Sequence, residues 1–187
     1  VPNHTGWDHE WITTNPEYYT QNENGEIIDP INPDSGESWG WADVADLNYD
    51  NKNMRSEMID EMLYWIKDEN IDGFRCDVAS AVPLDFWEEA ISKIRDEKDV
   101  FMLAEAEDPE LVKGKRLFDM VYAWERHHIF NKMANEENAI EIWDKIMEKE
   151  SERFESDDIL MSFVTNHDEN SWNGTIRERM GDASELL

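Results

Sequence analysis

Two hydropathy patterns alternate along this chain. Short apolar runs without polar interruption are separated by longer stretches in which apolar side chains recur every three or four positions. An uninterrupted run reads as a strand buried on both faces, and the three-to-four spacing reads as a helix with one buried face. The first periodic stretch predicts a helix at about 53–69. Met58, Met62, Trp65 and Ile66 fall on one face, and Asn51 or Asn53 stands where a cap is needed. A short buried strand follows at 72–77. Pro83 then opens a second helix, with Phe86, Trp87, Ala90, Ile91 and Ile94 on its inner face. Next come a strand at 100–105, a short helix at about 109–114 and a strand at 117–122. A long amphipathic helix covers much of 125–150, a strand runs over 159–165, and a helix begins near Thr175. Residues 5–50 show no helical period. They read as a long loop rich in Trp, Asn, Asp, Pro and Gly, and a loop of that length in a compact domain is usually functional. Strands alternating with helices imply a parallel sheet with helical crossovers, either doubly wound or a (β/α)₈ barrel.

Polar residues mark where the apolar runs stop, in VPNHT at 1–5, GFRCDV at 73–78, FMLAE at 101–105 and FVTNHD at 163–168. In parallel α/β folds the C-terminal ends of strands are where catalytic groups gather, and a barrel spreads them over many strand ends. Asp77 and Glu105 end consecutive strands. Neighbouring parallel strands lie about 4.8 Å apart, so carboxyls at their tips can approach the ~5–5.5 Å of retaining glycosidases. There one carboxylate is the nucleophile and the other the acid/base. Arg75, two residues before Asp77, emerges on the same strand face and favours an ionised Asp77. The apolar stretch before Glu105 favours a raised pKa and a proton donor. The same spacing also suits two surface acids, one of them salt-bridged to Arg75. Glu107 lies on the same face as Glu105 and competes with it on spacing alone. Asp168 is a third acid, and His167 and His4 are hydroxyl-binding candidates. NHD followed by Glu169-Asn170 reads equally as a polar loop or a helix-capping segment. Metal ligation by His4, His9 and His167 is a further reading, although zinc ligands usually come in closer pairs.

Composition narrows the partners. Of 187 residues, 45 are Asp or Glu and 17 are Lys or Arg, a formal net charge of −28. That disfavours nucleic acid and anionic membrane surfaces. Nine Trp, seven Phe, five Tyr and nine Met supply a core, so the charge does not signal disorder. The single Cys76 makes no internal disulfide and leaves the compartment open. No stretch approaches a membrane span, and no signal peptide is visible. In the 5–50 loop, Trp7, Trp11, Tyr18, Tyr19, Trp39 and Trp41 suit either sugar faces or a small local core, and for most of them the local core is the expectation. The opening at Val1 and the helical-looking ASELL at the end read as cuts, so the expectation is an internal piece of a longer protein.

The four strand-end segments, in this order, resemble the four signature regions of the α-amylase family of glycoside hydrolases, and ADLN at 45–48 resembles a further short motif of that family. The runs WDHEW, NPEYY, FMLAEAEDP and NHDENSWNGT are similar to bacterial members acting on starch-derived glucans. The resemblance implies a partial (β/α)₈ TIM barrel, from about the end of strand three to the start of helix seven, with 5–50 as the loop insertion after strand three. It implies Asp77 as nucleophile, Glu105 as general acid/base and Asp168 as transition-state stabiliser. Arg75 would orient Asp77, and His4 and His167 would bind the sugar. Asn3 and Asp46 match calcium positions, and no organic cofactor is implied. The implied activity is retaining hydrolysis of α-glucosidic, mainly α-1,4, bonds in starch-derived glucans or maltooligosaccharides. The alternatives are α-glucosidase or glucanotransferase activity with the same residues, or a non-catalytic carbohydrate-binding protein on an amylase scaffold. A secreted or periplasmic place suits a polysaccharide substrate. Two departures stand out. The family's first motif starts with an Asp that would lie two residues before Val1. Ser80 and Ala81 stand where many amylases carry Lys-His.

Overall fold

The computed structural model describes residues 3–32, 35–115, 117–135 and 139–185, which divide into two units after Met102. The first unit opens with an antiparallel ribbon, β1 (His4–Gly6) against β2 (Val44–Asp46), in which His4 faces Asp46 and Thr5 faces Ala45. Between them lie a short helix, α1 (Trp11–Thr14), and a 3₁₀ turn at Pro16–Tyr18. The stretch read as loop is therefore folded on itself. Trp11, Tyr18 and Tyr19 are buried in it, as expected of a local core. Trp7 and Trp39 stay exposed, and Trp41 is half-buried.

Asn51 starts α2 (Lys52–Lys67) by accepting from the N–H groups of Asn53 and Met54, which satisfies two donors that a helix start otherwise leaves orphaned. Met54, Met58, Ile59, Met62 and Ile66 form its buried face. Trp65, expected on that face, stays 49% exposed beside Tyr64 in the last turn, two residues before the helix ends. Next come β3 (Gly73–Cys76) and α3 (Leu84–Glu97), whose Phe86, Trp87, Ala90, Ile91 and Ile94 are buried as the spacing predicts. Burial of side chains this large contributes about 1.5–3 kcal/mol each. Gly73 is obligatory: its φ is 152°, and a Cβ there would lie 1.8 Å from Phe101 O. That close approach lets the Phe101 N–H donate to Asp72 O (2.9 Å), where β4 (Phe101–Ala104) begins.

In the second unit the last residues of β4 pair in parallel with β5 (Met120–Tyr122), Leu103 opposite Met120, and β5 pairs in parallel with β6 (Leu160–Met161). A short helix, α4 (Pro109–Val112), makes the first crossover. The single helix expected over 125–150 is two, α5 (Trp124–Met133) and α6 (Ala139–Arg153). The reason is local. Asn131 and Asn135 turn their amides back onto the His127 and Asn131 carbonyls (3.1 and 2.9 Å), the competition with regular helix that Asn side chains offer. Arg126 ties the two helices by donating to both oxygens of the buried Glu150 (2.8 and 2.5 Å). The strand expected over 159–165 is only two residues long. Past Met161, the Phe163 and Val164 carbonyls bond the side chains of His127 and Arg179 instead of a neighbouring strand. A short helix that the hydropathy pattern does not show, α7 (His167–Trp172), follows. Then comes α8 (Ile176–Met180), begun by a Thr175–Glu178 capping box. No helix among the described residues is long and apolar enough to cross a membrane.

Candidate active site

In the first unit Asp77 lies one residue beyond β3, and the Arg75 guanidinium forms an ion pair with its carboxylate, as the two-residue spacing predicts. The next residue, Val78, sits at φ 41°, ψ 47°. That left-handed conformation is rare for a β-branched side chain, and such strain costs on the order of 1–3 kcal/mol and gathers at functional sites. The chain beyond it is pinned by the buried Trp87 indole, which donates to Ala79 O (3.0 Å). Cys76 faces the core, and burial pushes its thiol up to about 12, so it is no nucleophile at neutral pH.

His4 approaches Asp77 from the ribbon, with Nε2 3.9 Å from Oδ2. Burial holds the His4 imidazole below its ordinary pKa against the charges of Asp77 and Asp43. The neutral ring bonds Asn3 Oδ1 through Nδ1 (2.8 Å). That leaves Nε2 as an acceptor. At 3.9 Å the two atoms are too far apart for a direct hydrogen bond. On the other side of His4 the Trp41 ring stands edge-on at 6.0 Å, and Trp39 lies nearly parallel to Trp41 at 5.8 Å and 17°. Trp39 is exposed and Trp41 half-buried.

Asn3 is buried, and its backbone carbonyl accepts from Leu47 N–H (2.9 Å). Burial raises the Asp46 carboxyl above its ordinary pKa. The Thr20 hydroxyl opposes that shift and the charge of Asp29 adds to it. Asn3 and Asp46 thus offer two hard oxygen donors of the kind calcium takes, of the six to eight it needs. Among the described residues no group of three or more His, Cys, Asp and Glu is arranged to hold a metal ion. A cavity of about 590 Å³ in this unit is lined by His4, His9, Trp11 and Glu61 among others.

In the second unit Glu105 follows β4 directly and is half-buried. Glu107, which spacing could not separate from it, is fully engaged. Its Oε2 accepts from Glu125 N–H (2.7 Å), its Oε1 from Arg153 Nη1 (3.1 Å), and its backbone carbonyl from Arg153 Nη2 (2.9 Å). The Glu107 side chain is 11% exposed. It braces the start of α5 and the end of α6, with both oxygens committed as acceptors.

Asn166, His167 and Asp168 occupy the start of α7. Asn166 caps the helix, accepting from Glu169 N–H (2.7 Å), so the capping reading of NHD is correct for its first residue. His167 and Asp168 project outward, 73% and 42% exposed, with His167 Nε2 3.3 Å from Asp168 Oδ2. The next residue turns back: Glu169 accepts from Asn173 Nδ2 (2.9 Å) and meets the buried His127 Nε2 (3.0 Å). Sequence reasoning missed His127 and Glu169. The available signal was Asn-x-x-Glu, a helix-start spacing whose Glu here bonds His127 instead of looping back. Of the predicted residues, His4, Arg75 and Asp77 gather in the first unit. His167 and Asp168 stand side by side in the second, where Glu105 also lies.

Residues 1–183 match the family model described as the catalytic domain of alpha amylase. Over 124 residues, 63% of the chain, it is 35% identical to the alpha-1,4-glucan:maltose-1-phosphate maltosyltransferase of Picrophilus torridus. It superposes on a noncanonic maltogenic alpha-amylase, AmyB, from Thermotoga neapolitana with a TM-score of 0.76 over 89% of the chain, at 30% identity. It superposes on an alpha-amylase from Lactobacillus plantarum with a TM-score of 0.79 over 99% of the chain, at 26% identity. The chain spans 19% of the length of the Picrophilus relative and 37% and 44% of the two solved chains. Its parallel strands and crossover helices are part of a (β/α)₈ barrel of the kind these structures share.

Proposed function

Since the chain belongs to the alpha-amylase family, we propose that the protein it builds is a retaining hydrolase of α-1,4-linked glucans or maltooligosaccharides. Asp77 is the nucleophile, Glu105 the general acid/base and Asp168 the stabiliser of the oxocarbenium-like transition state. Residues 5–50 are the insertion that follows the third barrel strand.

The observation that carries this reading is the setting of Asp77. Its carboxylate is paired with Arg75, which favours the ionised form a nucleophile requires. It is followed by a strained turn at Val78. It also stands 3.9 Å from His4 Nε2, so a sugar hydroxyl placed beside the pair can donate to one of the two. Trp39 and Trp41 beyond His4 suit the C–H face of a neutral sugar. Glu107 supports Glu105 as the acid by default, because both Glu107 oxygens are already accepting. His167, exposed beside Asp168, is the second hydroxyl-binding imidazole.

In the full-length protein, hydrolysis of a maltooligosaccharide followed by NMR should show the α-anomer first. The β-anomer as first product contradicts the mechanism. Transfer to a sugar acceptor is a second reading, favoured by the likeness to the Picrophilus maltosyltransferase. The net charge of −28 favours a neutral donor over a phosphorylated one. Incubation with maltoheptaose, with and without maltose 1-phosphate, separates the two: phosphate release identifies the transferase.

Calcium at Asn3 and Asp46 belongs to the same proposal. A cation beside Asp46 would offset the charge that burial and Asp29 disfavour. The melting temperature should then rise with calcium and fall with chelator, and indifference to both removes the site.

A further inference from the structure

Behind the NHD segment lies a group that the reaction does not use. His127, on α5, is wholly buried, and it touches both ends of the segment that carries Asp168. Its Nδ1 lies 3.2 Å from Phe163 O, and its ring stacks on the Phe163 ring with centroids 4.6 Å apart and planes at 9°. Its Nε2 lies 3.0 Å from Glu169 Oε2. A carbonyl and a carboxylate only accept, so each ring nitrogen of His127 faces an acceptor, and the Asn131 amide lies 3.5 Å from Nε2 as well. One turn along α5, Asn131 accepts from Arg179 Nη1 (2.6 Å), and Arg179 Nη2 donates to Val164 O (2.7 Å). Asn166 spends its side-chain oxygen on the helix cap. Residues 163, 164, 166 and 169 are thus tied from behind, and His167 and Asp168 are the two that project.

We propose that His127 is the positioning residue of this segment: it grips Phe163 and Glu169 and so sets where Asp168 stands. The proposal rests on the reading of Asp168 as the stabilising acid. A displacement of about 1 Å at a reacting group can cost 10²-fold in rate, so a buried two-ended grip is a sensitive control of that position. A phenyl ring would keep the stack on Phe163 but leave the Phe163 carbonyl and Glu169 without the imidazole.

The test uses the full-length protein and maltoheptaose, assayed well below each variant's melting temperature. His127→Phe keeps the stack and removes both ring nitrogens. It should lower kcat about 10–100-fold, with KM within about threefold, as for an interaction felt in the transition state. Because His127 acts through Asp168, adding His127→Phe to Asp168→Asn should slow that variant by no more than about twofold. Wild-type kcat in His127→Phe overturns the proposal, and so do losses that multiply in the double variant. If His127→Phe does not fold, Glu169→Ala opens the grip from the other end and must show the same lack of additivity. Glu169→Gln, which keeps an acceptor, must retain more kcat than Glu169→Ala. Wild-type activity in Asp168→Asn alone overturns the reading of Asp168 itself, whatever the His127 variants do.

Discussion

Asp77 and Asp168 are both proposed to act in the reaction, yet they are held in different ways. Asp77 is gripped by its own charge: Arg75 pairs with its carboxylate, His4 stands 3.9 Å away, and the turn after it is strained. Asp168 projects from the first turn of α7 with 42% of its side chain exposed, and the residues fixed are its neighbours, Asn166 by capping and Glu169 by the buried His127. A directly paired carboxylate has its electrostatics and its position set by the same contact. A projecting one, here with only the exposed His167 beside it at 3.3 Å, delegates position to the backbone around it. The first arrangement suits a nucleophile and the second suits an acid that meets positive charge only in the transition state.

The comparison is broken most severely at Asp77, the proposed nucleophile. Asp77→Asn in the full-length protein should reduce kcat more than removal of any other group, with the melting temperature little changed, since a single partly exposed ion pair contributes about 1 kcal/mol or less. Steady-state kinetics and a thermal melt on the same preparation check both halves of this expectation. Next in size is the pair of acids two residues apart. Glu105→Gln should cost about 10²–10⁴-fold in kcat, the range of general acid–base catalysis. Glu107→Gln should instead lower stability, by about 1–3 kcal/mol for its imperfectly replaced charged hydrogen bonds. Abolished activity in Glu107→Gln with a normal melt would exchange their roles.

A smaller effect sharpens the Asp168 side. Burial pushes the Glu169 carboxyl up, but hydrogen bonds from Asn173 and His127 and the charges of His127 and Arg179 outweigh it and leave the group below its ordinary value of 4.5. A carboxyl that titrates lower when folded gives stability that is complete above the ordinary value and is lost as pH falls through the folded one. Denaturant melts from pH 6 downward should therefore show the wild type losing stability more steeply below that value than Glu169→Gln. Equal slopes would mean that Glu169 carries no such linkage. The smallest effect is at the cap of α8: Thr175→Ala should cost about 0.5–2 kcal/mol in a urea melt and leave KM alone.

These contrasts follow what the sequence made legible. Arg75-x-Asp77 shows its meaning in the one-dimensional pattern, because two residues along a strand share a face. The apolar runs likewise placed α2, β3, α3 and β4, and Asn51 announced a helix start that the structure bears out. The grip on Asp168 joins residues 36 and 42 positions apart in the chain, and no periodicity relates them. Glu105 and Glu107 have the same spacing logic, and what separates them is Glu125 and Arg153, 18 and 46 residues away from Glu107. Near the end of α5, Asn131 and Asn135 turn back onto the backbone, a choice of side-chain rotamer that hydropathy does not encode. The strain at Val78 is invisible in a residue type that normally favours extended backbone. Among the six loop aromatics, composition gave two readings and burial divided them, with Trp11, Tyr18 and Tyr19 packed inside and Trp7 and Trp39 left at the surface.

The central claim is that Asp77 attacks the sugar and forms a covalent bond to it. The direct measurement is to trap that intermediate in the full-length protein with a fluorinated glucosyl fluoride, whose fluorine on the ring slows hydrolysis more than formation, and to locate the label by mass spectrometry of the digested protein. A glycosyl group on the peptide containing Asp77, absent in Asp77→Asn, is the result expected. A label on Asp168 or on Glu105, or turnover of the reagent with inversion and no covalent species, would contradict the account.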